Sequence, residues 1–571
     1  MSDPLLSVVI PVHDAAPWIG ELLESVLDQD VEAMEVLVVD DRSSDGTAVI
    51  IDSFRARDPR VQRLRSDAPG GAAARNTGAA AARGEYLVFA DADDLVPPGA
   101  YRAMVGSLEA SGSDLVIGDH LKFSPTRTWS PTARWRAFDH ALQGTTLAET
   151  PALLTGRACW NRLFRRSFWE RAALGFPNVG HADDIEPMTR SVVEARAIDV
   201  VTTCVYLYRE RAGGTGGSMS NQVDEVALLD YLREETACAA LVSAASPPVV
   251  RQQALLVLDA DGWVHLDRYL AEAPSGTALP PSVEQSLGRL LEALDHTVLG
   301  DVAAERRCFF ALLWAGQPDV ASDFAAAMRA REPEPGRFLR EWVSATAALL
   351  DSVAPAGLDR TALAEDGLLT AFLHAADRLD ATGLAPLVDA AERVLRRTPT
   401  ASAKSELLEA IRRAVLARDP EAVRLISELR HHAPVVVDQV TPGVDGLRVE
   451  GPAPSPPLSS SMRLELRSGD QVRTVDLDAT GSRWLGRITA DGGPDTAGRW
   501  TVTARFRLST VDVAVPVVTA RMPLPPLDAS HVLQPLSDRR DGWRFLVDRR
   551  ASRSVLSRFR SAAERLRRSR T

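Results

Sequence analysis

VVIPVHDA at residues 8–15, VVDDRSSDGT at 38–47 and GGAAARNTGAAAARGEYLVFADADD at 70–94 decide the fold. The short apolar run in each piece, rich in β-branched residues, adjoins acids or a turn. The runs at 7–10, 36–39, 86–90 and 115–117 read as strands, with helical stretches between them. The first helix is expected from about 17 to 28, with Trp18, Leu22, Leu23, Val26 and Leu27 on one face. This alternation predicts a mainly parallel sheet covered by helices, an α/β domain over residues 1–215. Such sheets bind ligands beyond the carboxyl ends of their strands, so chemistry is expected in the residues that follow each strand.

Two familiar nucleotide folds drop out at those positions. The first strand runs into Pro11, Val12, His13 and Asp14 with no glycine-rich turn, so the dinucleotide fingerprint is missing. Residues 70–84 are rich in glycine and alanine but lack the lysine of a P-loop. Acids stand there instead. Asp40, Asp41 and Asp45 follow the second strand. They can accept hydrogen bonds from a base or ribose, or cap the next helix through Asx-type turns. Asp91, Asp93 and Asp94 follow the strand at 86–90. An extended chain points Asp91 and Asp93 to one side. A magnesium-like ion takes one or two carboxylates and completes its shell from substrate phosphates.

In order and spacing these pieces resemble the N-terminal half of a family 2 glycosyltransferase of the GT-A fold, the Rossmann-like architecture of nucleotide-diphospho-sugar transferases. The resemblance covers about the first 215 residues and implies inverting transfer of a sugar from a nucleotide diphosphate donor. It places Pro11, His13, Asp41, Arg75, Asp91 and Arg209 on the donor, Asp41 at the nucleotide base and Arg75 within the family's AARN segment. Asp91 and Asp93 form its DxD element and are its residues for Mn2+ or Mg2+, with Asp93 favoured over Asp91 as the direct ligand. The family's general base follows a W-N-[KR]-L segment, matched here by Trp160, Asn161, Arg162 and Leu163. The resemblance assigns Asp184 as that base and puts Asp183 where the family usually has glutamate. A helix N-cap at either aspartate is the competing reading. Tyr206, Leu207, Tyr208 and Arg209 precede GGTGGSMS at 213–220, which suggests a diphosphate-binding arginine and a mobile lid. An ordinary surface arginine is the alternative. His13 stands for the usual aromatic residue, Asp14 for asparagine and Arg42 for glycine. No QxxRW motif follows Asp184, which argues for single-sugar transfer over a processive membrane-embedded synthase.

The rest of the chain changes character twice. Residues 220–432 carry a helical period, as in Leu287, Leu290, Leu291 and Leu294. Ser282 with Gln285 suggests a capping box, and Asp419-Pro420 a helix start. Residues 434–525 turn to period two. Met462, Leu464 and Leu466, then Trp500, Val502, Ala504, Phe506 and Leu508, alternate with polar residues, predicting a small Ig-like β-sandwich. A basic amphipathic helix is expected over 540–571. This architecture is similar to that of wall teichoic acid glycosyltransferases. It implies a sugar such as N-acetylglucosamine, carried as a UDP-sugar, added to a poly(polyol phosphate), and a trimer.

Composition sets the outer bounds. The 571 residues are 45% hydrophobic and 25% charged, ordinary for a globular chain of several domains. No apolar run approaches membrane-spanning length, and MSDPLLSVVIPV does not read as a secretory leader. Cys159, Cys204, Cys238 and Cys308 lie far apart, as suits a reducing cytoplasm. The net charge of −12 disfavours nucleic acid as a partner. Residues 549–571, however, hold nine arginines against Glu564 alone. That tail could lie on anionic lipid at the inner membrane face, bind a polyphosphate acceptor, or be solvated. The expectation is a metal-dependent transferase acting on a cell-envelope polymer. Capsular or exopolysaccharide synthesis and a non-catalytic glycan-binding scaffold are the competing functions.

Overall fold

The computed structural model describes residues 3–31, 33–132, 138–210, 224–272, 279–329, 334–353, 358–398, 405–443, 446–489, 498–519, 531–535 and 544–549. β1 (Leu6–Val12) is buried along its length and pairs in parallel with β2 (Met34–Asp40) and with β4 (Tyr86–Phe89). Strands covered on both faces need no inside–outside alternation, which is why they read as unbroken Val, Ile and Leu runs. β3 (Val61–Arg65) extends the sheet beyond β2. α1 (Ile19–Leu27) buries Ile19, Leu22, Leu23 and Val26, close to the expected face. α2 (Thr47–Arg57) and α3 (Gly71–Ala81) follow β2 and β3. α3 lies directly on the sheet at Gly78, where an added Cβ would sit 2.4 Å from a Val9 methyl.

Past β4 and α4 (Ala100–Ser111) the sheet becomes mixed. β5 (Leu115–Ser124) forms a hairpin with β6 (Arg127–Trp129). β8 (Arg162–Arg165) runs antiparallel between β4 and β5. β9 (Ile198–Arg209) is parallel to β5, and β7 (Leu142–Thr145) pairs antiparallel with β9. α5 (Arg166–Arg171) and α6 (Ile185–Glu194) lie between β8 and β9. The order β3-β2-β1-β4-β8-β5-β9-β7 reverses at β1, so the crevice between β1 and β4 is where a ligand site belongs. This is the expected α/β GT-A fold.

The chain divides into two compact units, Met1–Ala326 with Ala354–Leu358, and Ala327–Val353 with Asp359–Thr571. The first holds the sheet and, among its further helices, α7 (Glu225–Val242), α8 (Pro247–Asp259), α9 (Asp261–Glu272), α10 (Pro281–Ala293), α11 (Ala304–Trp314) and most of α12 (Pro318–Arg329). The capping box at Ser282 does not form. Pro281 starts α10 one residue earlier, and the Ser282 hydroxyl donates to Glu225 instead. The second unit combines helices, among them Pro335–Asp351, Ala381–Leu395 and Glu406–Leu416, with a β-rich region. Asp419 caps Pro420–Leu429 as expected, accepting the Ala422 N–H.

In the β-rich region Met462–Ser468 alternates as predicted, with Met462, Leu464 and Leu466 buried. It pairs antiparallel with both Gln471–Thr480 and Gly498–Leu508. Arg544–Arg549 is a strand paired with Gly498–Leu508 and His531–Pro535, which corrects the helix expected from 540. Period-two partners outweigh local arginine content there. The rest of that expected helix, 550–571, and the glycine-rich stretch at 213–220 lie outside the described residues.

Candidate active site

β1, β2 and β4 end side by side, and the loops that follow β1 and β2 are zipped together. The Ser44 N–H donates to Asp14 Oδ1 at 2.6 Å, the Ala16 N–H to Asp45 Oδ2 at 2.9 Å, and the Ala15 N–H to Thr47 Oγ1 at 2.8 Å. Asp45 also accepts the Thr47 N–H, an Asx turn. Asp41 does not. Its Oδ2 reaches across to the Gly70 N–H at 2.7 Å, and Arg42 pairs with Oδ1. His13 Nδ1 lies 2.6 Å from the Asp41 carbonyl oxygen, and Pro11 pairs opposite Val39. Asp14 and Arg42 hold φ of 46° and 59°. Left-handed backbone at a non-glycine residue is costly and concentrates at functional sites.

The acidic loop after β4 is held from below. The Asp91 N–H donates to Tyr206 Oη at 2.8 Å, and the Arg209 N–H donates to Asp94 Oδ1 at 2.7 Å. Leu95 and Leu207 exchange backbone hydrogen bonds of 3.1 and 2.9 Å. Tyr206 in turn stacks on Trp160, with ring centroids 4.3 Å apart. The aromatic residue of the W-N-R-L segment therefore supports Asp91 through one tyrosine. The Arg209 guanidinium is taken up by protein groups: Nε donates to the Asp93 carbonyl at 2.7 Å, and Nη2 pairs with Glu21 at 2.6 Å.

Arg75 connects this loop to the second acidic pair. Its Nη2 donates to Asp91 Oδ1 at 2.8 Å and its Nη1 to Asp183 Oδ2 at 2.7 Å, with the side chain only 14% exposed. Burial works against the guanidinium's charge, but Asp183 and Asp91 outweigh it and hold the pKa well above normal. Asp184 stands at the N-cap position of α6, yet its side chain makes no capping hydrogen bond. Burial, then Asp183, pushes its carboxyl up to about 7, with Arg75 pulling the other way. A carboxyl poised there can take a proton near neutral pH.

The W-N-R-L segment anchors the helix that follows this pair. Arg162 is buried and donates to the Met188 carbonyl at 2.7 Å and to Ser191 Oγ at 2.9 Å, both on α6. Burial pulls its pKa down to about 10. Asn161 Nδ2 donates to the Gly118 carbonyl at 3.0 Å on β5.

Among the described residues no group of three or more His, Cys, Asp or Glu converges as a metal-ligand set. A hard divalent ion on a diphosphate needs only one or two carboxylates from the protein. At Asp94, burial first, then the neighbouring Asp93 and Asp91, raises the carboxyl well above the ordinary range. The carboxylate oxygens of Asp91 and Asp93 are donors of the kind that magnesium or manganese takes.

A switch-point crevice with acids after three strands, and a carboxylate pair at the start of α6, is the candidate site of this α/β GT-A domain. Residues 7–171 match the model of Glycosyl transferase family 2, and this N-terminal domain belongs to that family. The uncharacterized glycosyltransferase EpsJ of Bacillus subtilis is 28% identical over 219 residues, 36% of this chain and 61% of that protein. The chain thus spans about three fifths of that relative's length. The succinoglycan biosynthesis protein ExoO of Rhizobium meliloti is 36% identical over 117 residues, 20% of this chain and 32% of that one. Among solved structures, S. aureus TarS 1-349 in complex with UDP-GlcNAc matches at 20% identity and a TM-score of 0.45, covering 57% of this chain and 91% of that one.

The structure thus joins Asp91, Arg75 and Asp183 directly, with Asp184 beside them. Pro11 sits near the end of β1, with His13 and Asp41 in the loops that follow β1 and β2. Sequence reasoning missed Tyr206 as the support of Asp91, Glu21 as the partner of Arg209, and Asp230. The last lies on α7 and accepts the Gly180 and His181 N–H groups. A lone acid on a distant helix gives no local signal.

Proposed function

We propose that this chain is an inverting, divalent-metal-dependent glycosyltransferase that moves a sugar from a UDP-sugar, such as UDP-N-acetylglucosamine, onto a polymeric cell-envelope acceptor. The observation that carries the reading is Arg75, whose one guanidinium spans the DxD carboxylate Asp91 and the base-side carboxylate Asp183. Arg75 thereby links the donor-side carboxylate Asp91 to the residue next to Asp184. With Asp183 paired to Arg75, the proton acceptor is Asp184. It takes the proton of the acceptor hydroxyl as that oxygen bonds to the anomeric carbon. The bond from the anomeric carbon to the diphosphate breaks in the same displacement, and the nucleoside diphosphate leaves. Asp91 and Asp93 would hold Mg2+ or Mn2+, which when bound neutralises charge on the diphosphate. Asp41, beside His13, receives the nucleotide base.

A polysaccharide acceptor is supported by the succinoglycan biosynthesis in the name of ExoO. A teichoic-acid-like poly(polyol phosphate) is the second acceptor class to be tested. The Arg-rich C-terminus, as a contact to anionic lipid or acceptor, and a homotrimer remain proposals of the same kind.

The test is nucleoside diphosphate release from a panel of UDP- and GDP-sugars, with and without Mn2+, with either acceptor, beside Asp184→Asn. The expected result is metal-dependent release with one donor, raised by one acceptor and lowered about 10²–10⁴-fold in the variant, with nucleotide affinity retained. Normal turnover in Asp184→Asn removes the base assignment. No metal-dependent nucleotide binding at all favours a non-catalytic scaffold.

A further inference from the structure

α7 lies outside residues 7–171 matched by the family model, yet it touches the segment that carries the carboxylate pair. Asp230 Oδ2 accepts the Gly180 N–H at 3.1 Å and the His181 N–H at 3.2 Å, with His181 Nδ1 at 3.4 Å from the same oxygen. Its other oxygen pairs with Arg233 at 2.8 Å. Two helical turns further on, Cys238 packs against the start of α6, its Sγ 3.3 Å from Thr189 Oγ1 and 3.7 Å from the Ile185 carbonyl. Residues 230 and 238 share one face of a helix, so a single face of α7 grips both the loop and the helix start.

The grip matters because of what lies between. Ala182 has φ of 58°, a left-handed turn that aims the next two residues. Asp184 lacks a side-chain capping bond to fix it at the end of α6. The peptide N–H groups of Gly180 and His181 are thus fixed by Asp230, and Asp183 is fixed on the other side by Arg75.

We propose that Asp230 is a positioning residue for glycosyl transfer, holding the 180–184 loop so that Asp184 meets the acceptor hydroxyl. α7 is then part of the catalytic unit. This rests on the transferase reading above for its kinetic consequence but not for the loop placement itself, and the test separates the two.

In the full chain, hydrogen exchange of the peptide spanning 178–186 is compared in wild type, Asp230→Ala and Asp230→Asn. In parallel, kcat and donor KM come from nucleoside diphosphate release. Asp230→Asn keeps an acceptor oxygen for both N–H groups. Expected is exchange about tenfold faster in Asp230→Ala and near wild type in Asp230→Asn, since exchange reads local opening. Kinetically, kcat falls about 10–100-fold in Asp230→Ala with donor KM within about twofold, and most of it returns in Asp230→Asn, as misplacement of a reacting group predicts. Asp230→Glu keeps the charge but displaces it, and serves if Asp230→Ala does not fold. It is expected to lose kcat likewise. Unchanged exchange in a folded Asp230→Ala or Asp230→Glu overturns the proposal, whatever turnover does. A matched loss in kcat and nucleotide affinity also overturns it, because that marks general loosening. Faster exchange with no turnover of any donor in wild type upholds the loop placement and removes the transferase reading instead.

Discussion

The role proposed for Asp184 carries a cost in stability. An unfolded aspartate titrates near 3.9, whereas burial and Asp183 push the folded carboxyl up to about 7. Between those values the folded state holds a proton that the unfolded state has released. Stability therefore falls as pH rises from about 4 to 7 and levels off above. Asp184→Asn removes that penalty. Its Tm is expected to exceed wild type by a few degrees at pH 7.5, with the difference closing toward pH 4. A pH-independent difference, read by calorimetry, defeats the argument. The same titration sets activity in the opposite direction. The base must be unprotonated, so kcat/KM is expected to fall about tenfold per pH unit well below pH 7. A profile that stays flat down to pH 5.5 excludes Asp184 as the proton acceptor. Losing stability to keep a carboxyl ready is the trade expected of a functional site. From sequence alone Asp183 and Asp184 were alternatives, as base or as cap. What separates them is three-dimensional: Arg75 lies more than a hundred residues upstream and claims Asp183 only when α3 and α6 converge.

At the scale of elements, the backbone of α3 approaches β1 so closely that one methyl decides a sign. A Cβ on Gly78 would meet Val9 Cγ1 at 2.4 Å and Val39 Cγ2 at 3.1 Å, both on fully buried strand residues. A Cβ on Gly20 in α1 meets nothing within 4 Å. Glycine inside a helix costs about 1 kcal/mol relative to alanine, while overpacking a buried contact costs about 1–3 kcal/mol. Gly20→Ala is expected to stabilise by up to about 1 kcal/mol, and Gly78→Ala to destabilise by a similar or larger amount. Urea denaturation checks both. A stabilised Gly78→Ala means that α3 can lift from the sheet, which would also free Arg75 one turn earlier. The strands themselves were legible, because buried parallel strands announce themselves as apolar runs ending in acids. Alternation made Met462–Ser468 equally plain. Arg544–Arg549 was not legible as a strand, since its partners supply the pairing and its own composition argues for a charged surface helix.

For the whole molecule, the question is where the catalytic unit ends. The change in periodicity near residue 220 reads as a domain boundary, and the family model stops earlier still, at 171. Packing argues otherwise. Val242 and Val249, on α7 and α8, belong to the same buried core as β1 and β4. Arg157, in the loop before β8, is 3% exposed at its side chain and pairs with Glu235 on α7 and, at 2.7 Å, with Asp261 at the start of α9. Gln253 on α8 donates to the other Glu235 oxygen at 2.9 Å. Burial opposes the Arg157 charge, yet these two carboxylates hold its pKa well above normal. A chain without α7–α9 loses both carboxylates that hold Arg157 and uncovers the apolar core surface that Val242 and Val249 cover. A domain's whole stability is only about 5–15 kcal/mol, and the α6 face covered by Cys238 would be opened as well. A chain ending at 215 is therefore expected to be insoluble or unfolded. One ending at 329, after α12, is expected to melt cooperatively and to bind the nucleoside diphosphate as the full chain does. Circular dichroism melts with a metal-dependent thermal shift on both fragments decide the matter. A folded 1–215 fragment with full-chain nucleotide affinity would show that α7–α9 only decorate the transferase, and Asp230 would then lose its place in the mechanism.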